Sequence, residues 1–208
     1  MFSFDGYGII ISMKKLVIAS NNQHKINEIK AMLPQFEVVS QGNIGFDQDV
    51  EENGQTFEEN ALIKAKAIYD RFAVAVLADD SGICIDYFDG RPGIYSARYL
   101  GHDTPYTIKN QKILETMTDV PLEKRGAQFV CAMAYIDIHG QHHIVKGVLN
   151  GHINTIIEGE NGFGYDPIFV PDGFDHSIAM LSEQEKNKIS HRHQALEKMV
   201  GIIETDLD

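Results

Sequence analysis

Through its first part this chain alternates strand-length apolar runs with segments of helical periodicity, and that alternation restricts the fold more than any other feature. Leu16–Ala19, Phe36–Ser40 and Ala73–Ala78 are the apolar runs. Between the first two, Lys25–Leu33 places Ile26, Ile29 and Leu33 on one helical face, and Pro34 ends it. Thr56-Phe57-Glu58-Glu59 has the form of a capping box. It opens a helix whose Ala61, Ala65, Ile68 and Phe72 share a face. Strands joined by helical crossovers predict an α/β fold.

The later part reads differently. Ile83–Phe88 is expected to be a further strand, followed by a turn with Gly90, Pro92 and Gly93. Thr104-Pro105 predicts a cap and a first-turn proline for a helix reaching about Thr118. Gln128–Ile136 and His143–Leu149 flank Asp137–Gln141 as an antiparallel hairpin, and Asn150-Gly151 is expected to start a turn. Gly159–Asp166 is a glycine-rich loop. Ser182-Glu183-Gln184-Glu185 is a second capping box, opening a short helix to about Ile189, and a last helix spans His193–Ile203. The expected architecture is a mixed β-sheet with flanking helices. Residues 15–208 are expected to form a single domain, with residues 1–14 an extension before it. Phe2–Ser12 has no charged leader region, and Met13 is a second plausible start.

Composition excludes some functions. The chain has 208 residues, enough for a sizeable core, and 43% are hydrophobic, which argues against disorder. Eighteen Lys and Arg against 30 Asp and Glu give a net charge of −12, so no overall field draws in nucleic acid. No apolar run is long enough to span a membrane. Cys84 and Cys131 lie in apolar runs without metal-binding spacing and read as free thiols of a reducing cytoplasm. His139, His142 and His143 flank the hairpin without a carboxylate or Cys at zinc-ligand spacing.

Four polar constellations carry chemistry. Asp79-Asp80-Ser81-Gly82 follows an apolar run, which predicts a carboxylate pair at a strand's C-terminal end, where ligands of open α/β sheets gather. Adjacent side chains of an extended chain point to opposite faces, so one Asp faces the site and the other orients the turn. A carboxylate beside a phosphate requires an intervening Mg²⁺, and Glu51-Glu52 offers further hard ligands. Ser20-Asn21-Asn22-Gln23-His24-Lys25 opens the first helix with amides and a lysine suited to phosphate, without the glycines of a P-loop. Phe163-Gly164-Tyr165-Asp166 offers a stacking ring and an acceptor. Lys186 and Ser190-His191-Arg192 offer donors and positive charge. Each segment alone also fits a plain structural role: a turn, a solvated acidic loop, a helix cap, an aromatic turn, a basic helix surface.

Together, in this order, they resemble one family. Ala19–Lys30, Glu51–Ala65, Leu77–Gly82, Gly90–Gly101, Gly162–Phe169 and Ser182–Leu196 are similar to segments of the noncanonical purine nucleoside triphosphate pyrophosphatases, the inosine triphosphatase-like enzymes. The resemblance runs from about Lys15 to Gly201. It implies an elongated mixed sheet with two lobes around a substrate cleft. It implies Mg²⁺-dependent hydrolysis of ITP, dITP and XTP to the monophosphate and pyrophosphate, and a homodimer. Carried onto this chain, it makes Asp80 the general base and a metal ligand, with Glu51 or Glu52 supplying the other acid. Ser20, Asn21, Asn22, Gln23, His24, Lys25 and Ser81 would bind substrate, chiefly its phosphates. Phe163, Gly164, Tyr165, Asp166, Lys186, His191 and Arg192 would enclose the base and nearby phosphates. Many relatives start the first motif with Thr-Gly-Asn. Ser20 keeps the hydroxyl, and Asn21 in place of glycine predicts a left-handed backbone there. A metal-dependent phosphatase releasing single phosphates, and a non-catalytic nucleotide-binding protein, are the other readings these residues leave open.

Overall fold

The computed structural model describes residues 14–205. The Phe2–Ser12 extension and the alternative start Met13 lie outside them. In chain order the elements are β1 (Lys14–Ile18), α1 (Gln23–Met32), β2 (Phe36–Ser40), α2 (Phe57–Phe72), β3 (Val76–Ile85), α3 (Tyr106–Thr116), β4 (Gly126–Ile136), β5 (His142–Ile153), β6 (Phe169–Pro171), α4 (Glu183–Ile189) and α5 (His191–Thr205). The strands form one six-stranded sheet in the order β2-β1-β3-β4-β5-β6. β1 runs parallel to β2 and β3, and the remaining pairs are antiparallel. The α/β class with a mixed sheet is as expected. No helix among the described residues is long and apolar enough to cross a membrane.

Strand alternation sorts the core onto two faces. Leu16, Ile18 and Leu77 pack with Ile26 and Ile29 of α1 and with Leu196 and Met199 of α5. Val17, Val76 and Ala78 pack with Ala61, Ala65 and Ile68 of α2. Farther along β3, Ile83 and Ile85 join Phe129, Phe169, Ile113 of α3 and its C-cap residue Met117 in a third cluster. Each fully buried Leu or Ile contributes roughly 1.5–3 kcal/mol. Arg125, 1% exposed, seals the end of α3. Its guanidinium donates to the carbonyls of Met117, Val120, Ile153 and Asn154, so a charge buried without a carboxylate is satisfied by backbone dipoles.

Several local expectations are corrected. Asp79-Asp80 does not end a strand. β3 runs through it, because β4 pairs with β3 from Val76 to Ile85. Ile83 is therefore inside the same strand, and Asp86–Phe88 is a 3₁₀ turn. Ala73 is the left-handed C-cap of α2 rather than the start of a strand, its N–H donating to Tyr69 O. β5 likewise continues through Asn150-Gly151 to Ile153, because β6 pairs alongside it there. A side chain at Gly151 would meet Val170 O at 2.2 Å, so only glycine admits β6. Thr104 does not cap α3. Its hydroxyl donates to Leu100 O, and Pro105 takes the N-cap place. The last helix starts two residues earlier than expected, at His191. Thr56 caps α2 as expected by accepting from Glu59 N, but the Glu59 carboxylate returns to Gln55 N rather than to Thr56. The Ser182 box is complete.

Candidate active site

The site forms where the sheet changes character. β1 accompanies β3 only as far as Leu77, then turns away at Ser20 into α1. Beyond Gly82 the 3₁₀ segment Gly93–Arg98 covers the same edge, with Ser96 Oγ accepting from Ile83 N at 2.9 Å. A side chain at Gly82 would meet Ser96 Oγ at 2.4 Å and Gly93 O at 2.5 Å, so glycine permits this closure. Asp79, Asp80 and Ser81 occupy the interval between β1 and that segment.

The two aspartates diverge as alternation requires. Asp79 follows the parity of Leu77 and faces α1 and α5. Both its oxygens accept from Lys25 Nζ, at 2.9 and 2.8 Å, and Arg192 Nε lies 3.6 Å from Oδ2. Burial pushes its carboxyl up, but the charges of Lys25, Arg192 and Lys64 outweigh burial and hold it far below the ordinary carboxylate range. Asp79 therefore anchors two cations and orients no turn. Asp80 faces α2. Its Oδ2 accepts from Asn60 Nδ2 at 3.1 Å and its Oδ1 from Ser81 N at 2.9 Å. Burial raises its carboxyl and Glu52 and Asp79 reinforce that, while Lys64 and Asn60 oppose it. The net shift is upward.

Lys64 Nζ lies 2.9 Å from Glu52 Oε1 and 3.8 Å from Asp80 Oδ1. Burial disfavours its charge, yet Asp79, Asp80 and Glu52 more than compensate and keep it an ammonium. Of the acidic pair only Glu52 is brought to Asp80, and Glu51 is exposed. Among the described residues no group of three or more His, Cys, Asp or Glu side chains is placed to hold a metal. Glu52 and Asp80 nevertheless bracket one cationic atom with two carboxylate oxygens, which fits a hard divalent ion that takes one or two protein carboxylates.

The first motif is partly occupied with its own fold. Asn22 Oδ1 accepts from Lys25 N at 3.4 Å and Ser20 Oγ from Asn22 N at 3.0 Å, while Asn21 Oδ1 reaches across to Gly42 N at 3.1 Å. Asn21 is not left-handed: among the described residues the non-glycine positions of positive φ are Ala73, Asp89 and Leu100. Its side chain braces the turn after β2 instead. Gln23 bonds Asn27 along α1, and the side chain of His24 lies outside the described set. Lys25 is the member of this motif that reaches Asp79.

On the other side of Arg192, Phe163 is 63% exposed. Lys186 Nζ sits 4.4 Å from its ring centroid and Arg192 Cζ 6.0 Å. The carboxylate of Asp166 is buried and accepts from Phe163 N and from Lys186, so it holds this loop together. Burial raises its carboxyl against the opposing charge of Lys186. Tyr165 is a core residue, donating to Ser96 O and set edge-on to Tyr106, and Gly164 O accepts from Asn110. His191 stacks on Phe129 with centroids 5.0 Å apart, its Nδ1 buried without a partner. Burial, then Arg192 and Lys186, push its imidazole well below the ordinary value and keep it neutral. Arg192 Nη2 reaches Ser81 Oγ at 3.5 Å.

Asn60, Lys64, Phe129 and Glu28 were missed by motif reading. Asn60 and Lys64 had a signal: two polar residues four apart on the otherwise apolar face of α2. Glu28, on α1, keeps a buried oxygen without a partner, and its carboxyl is raised by burial against the charge of Arg192. Nothing in the local sequence marks it.

Comparison with known proteins gives a consistent result. The model of the Ham1 family matches residues 16–202. The dITP/XTP pyrophosphatase of Caldanaerobacter subterraneus subsp. tengcongensis is 45% identical over 191 residues, covering 90% of this chain and 94% of the relative. The protein of the same name from Bacillus licheniformis is 45% identical over 195 residues, covering 92% and 99%. The solved structure of the Staphylococcus aureus Ham1 protein matches with a TM-score of 0.88 at 40% identity, covering 93% of this chain and 100% of that one.

Proposed function

Because the chain belongs to the Ham1 family, we propose that it hydrolyses the noncanonical purine nucleoside triphosphates dITP, XTP and ITP to the monophosphate and pyrophosphate, removing them from the nucleotide pool. The relatives' names support dITP and XTP. ITP enters because it carries the same base as dITP. The observation that carries the reading is the division of the two aspartates, one locked as a counter-ion and one raised and set beside a second carboxylate. Acid–base sites separate neighbouring carboxyl groups in this way.

The α1 and α5 side supplies positive charge. Lys25 and Arg192, held by Asp79, would donate to phosphate oxygens as charge develops on them. On the α2 side, Glu52 and Asp80 are the residues that would hold Mg²⁺, which when bound neutralises phosphate charge and polarises the scissile phosphate. Asp80 orients a water and takes its proton as the oxygen attacks phosphorus, the bridging P–O bond between the α- and β-phosphates breaks, and monophosphate and pyrophosphate leave. In the metal-free protein burial raises its carboxyl above the ordinary value. The exposed ring of Phe163 offers a face for the purine, worth about 1–3 kcal/mol by analogy with base–aromatic stacking. Lys186 and Arg192 offer donors toward O6, and Asp166 keeps the loop and Lys186 in place. The free cysteines Cys84 and Cys131 support a cytoplasmic location. The homodimer rests on the family resemblance and is checked by light scattering against the 23.3 kDa chain mass.

The test is product identification across ITP, XTP, dITP, GTP and ATP, with Mg²⁺ and with chelator. The reading expects pyrophosphate as first product, turnover that requires Mg²⁺, and preference for the first three substrates. Orthophosphate as first product makes the protein a phosphatase, and binding without turnover makes it a nucleotide-binding protein.

A further inference from the structure

The gap between Glu52 and Asp80 already contains a cation, and it belongs to the chain. Lys64 Nζ is 2.9 Å from Glu52 Oε1 and 3.8 Å from Asp80 Oδ1. The lysine comes from the same face of α2 as Asn60, which fixes the other oxygen of Asp80 at 3.1 Å. That helix is capped at Thr56 and packed through Ala61, Ala65 and Ile68, so the ammonium is delivered by a rigid element.

A free divalent ion meets two obstacles here. Mg²⁺ requires about six oxygens in a strict octahedron, and no cluster of three or more acidic, His or Cys side chains is available among the described residues. It must also displace a full positive charge within about 4 Å, where like charges repel strongly. A triphosphate removes both obstacles, because its oxygens complete the coordination and its negative charge gives the displaced ammonium a new partner.

We propose that Lys64 is an exchangeable internal cation. It neutralises the Glu52–Asp80 pair while the protein is free of nucleotide, and it yields that place only to a divalent ion arriving with a triphosphate. This rests on the reading of Glu52 and Asp80 as the metal-holding pair. The exchange couples metal entry to substrate entry, and it keeps buried Asp80 and part-exposed Glu52 from facing each other unpaired between turnovers.

The test is calorimetric titration of Mg²⁺ into wild type, Lys64→Met and Lys64→Gln, each alone and with the α,β-methylene analogue of ITP. Wild type should bind Mg²⁺ well only with the analogue. Both variants should bind Mg²⁺ alone at least about tenfold more tightly than wild type does. Thermal unfolding gives a second readout: in chelator the variants should melt below wild type, and Mg²⁺ alone should raise their Tm by more than it raises that of wild type. Equal Mg²⁺ affinities of variants and wild type without nucleotide, with all three loading normally beside the analogue, overturn the exchange and leave the metal-pair reading intact. Failure of all three to bind Mg²⁺ even with the analogue overturns both.

Discussion

The two faces of β3 around residues 79 and 80 make an informative contrast. On the α1 and α5 face, Asp79 meets Lys25 and Arg192, and the surplus positive charge keeps it ionised despite its burial. On the α2 face, Asp80 meets an amide, a lysine and another carboxylate, and burial prevails. The residues are identical in type and adjacent in sequence. Strand alternation alone sends them into opposite electrostatic surroundings. The electrostatic state of a carboxylate in this fold is therefore set by the helix that faces it. One face gathers Lys25 and Arg192 around Asp79, and the other sets Glu52 and Asp80 about Lys64.

Substitution at each face should break the molecule in different ways. Asp80→Asn keeps size and removes both charge and basicity. Turnover at saturating Mg²⁺ should fall at least about 10²-fold, with unchanged circular dichroism. Near-normal turnover removes Asp80 from its role. Asp79→Asn should act chiefly on stability and substrate affinity. It leaves Lys25 and Arg192 without their counter-ion and should lower unfolding free energy by about 1.5–3 kcal/mol, the worth of hydrogen bonds to a charged group. KM should rise more than kcat falls. A kcat loss as large as that of Asp80→Asn erases the distinction between the faces.

Arg192→Ala probes the junction between the phosphates and the base. Arg192 touches Asp79, Ser81 and the neighbourhood of Phe163. The substitution should lower kcat/KM for ITP by more than about tenfold and narrow the ratio of ITP to ATP, because a lost donor toward O6 removes discrimination against adenine. Equal losses for the two substrates assign Arg192 to the phosphates alone.

The smallest effect concerns His191. Its imidazole stays neutral in the fold, whereas in the unfolded chain it takes a proton near its ordinary value of about 6.5. The unfolded state then binds more protons below that pH, so stability falls as pH drops. The slope from this group is about 1.4 kcal/mol per pH unit. His191→Phe keeps a ring against Phe129 and removes the titration. Urea unfolding between pH 7 and 5 should therefore show a shallower slope, by up to about that amount toward pH 5, and parallel slopes would contradict the buried neutral ring.

Much of this arrangement is legible in the sequence. The apolar runs and capping boxes located β1, β2, α2 and α4, and alternation at Asp79-Asp80 implied opposite faces. The continuity of β3 was not legible. Asp, Ser and Gly disfavour strands, and what holds them extended is β4, whose pairing is set by residues some fifty positions away. The same holds at Asn150-Gly151, where β6 keeps a turn-like dipeptide in a strand. Glu51 and Glu52 were indistinguishable in sequence, and Lys64 on α2 separates them. Asn21 and Asn22 looked like phosphate ligands, but their side chains brace Gly42 and Lys25 N, partners chosen by the path of the chain after β1.

The division between the two aspartates is tested most directly by ¹³C carboxyl titration of the metal-free protein, with resonances assigned from Asp79→Asn and Asp80→Asn. The account predicts that Asp79 stays ionised down to the lowest pH at which the protein remains folded, while Asp80 takes its proton above the ordinary aspartate value of about 3.9. A titration in the reverse order, with Asp79 protonating first as pH falls, would contradict it.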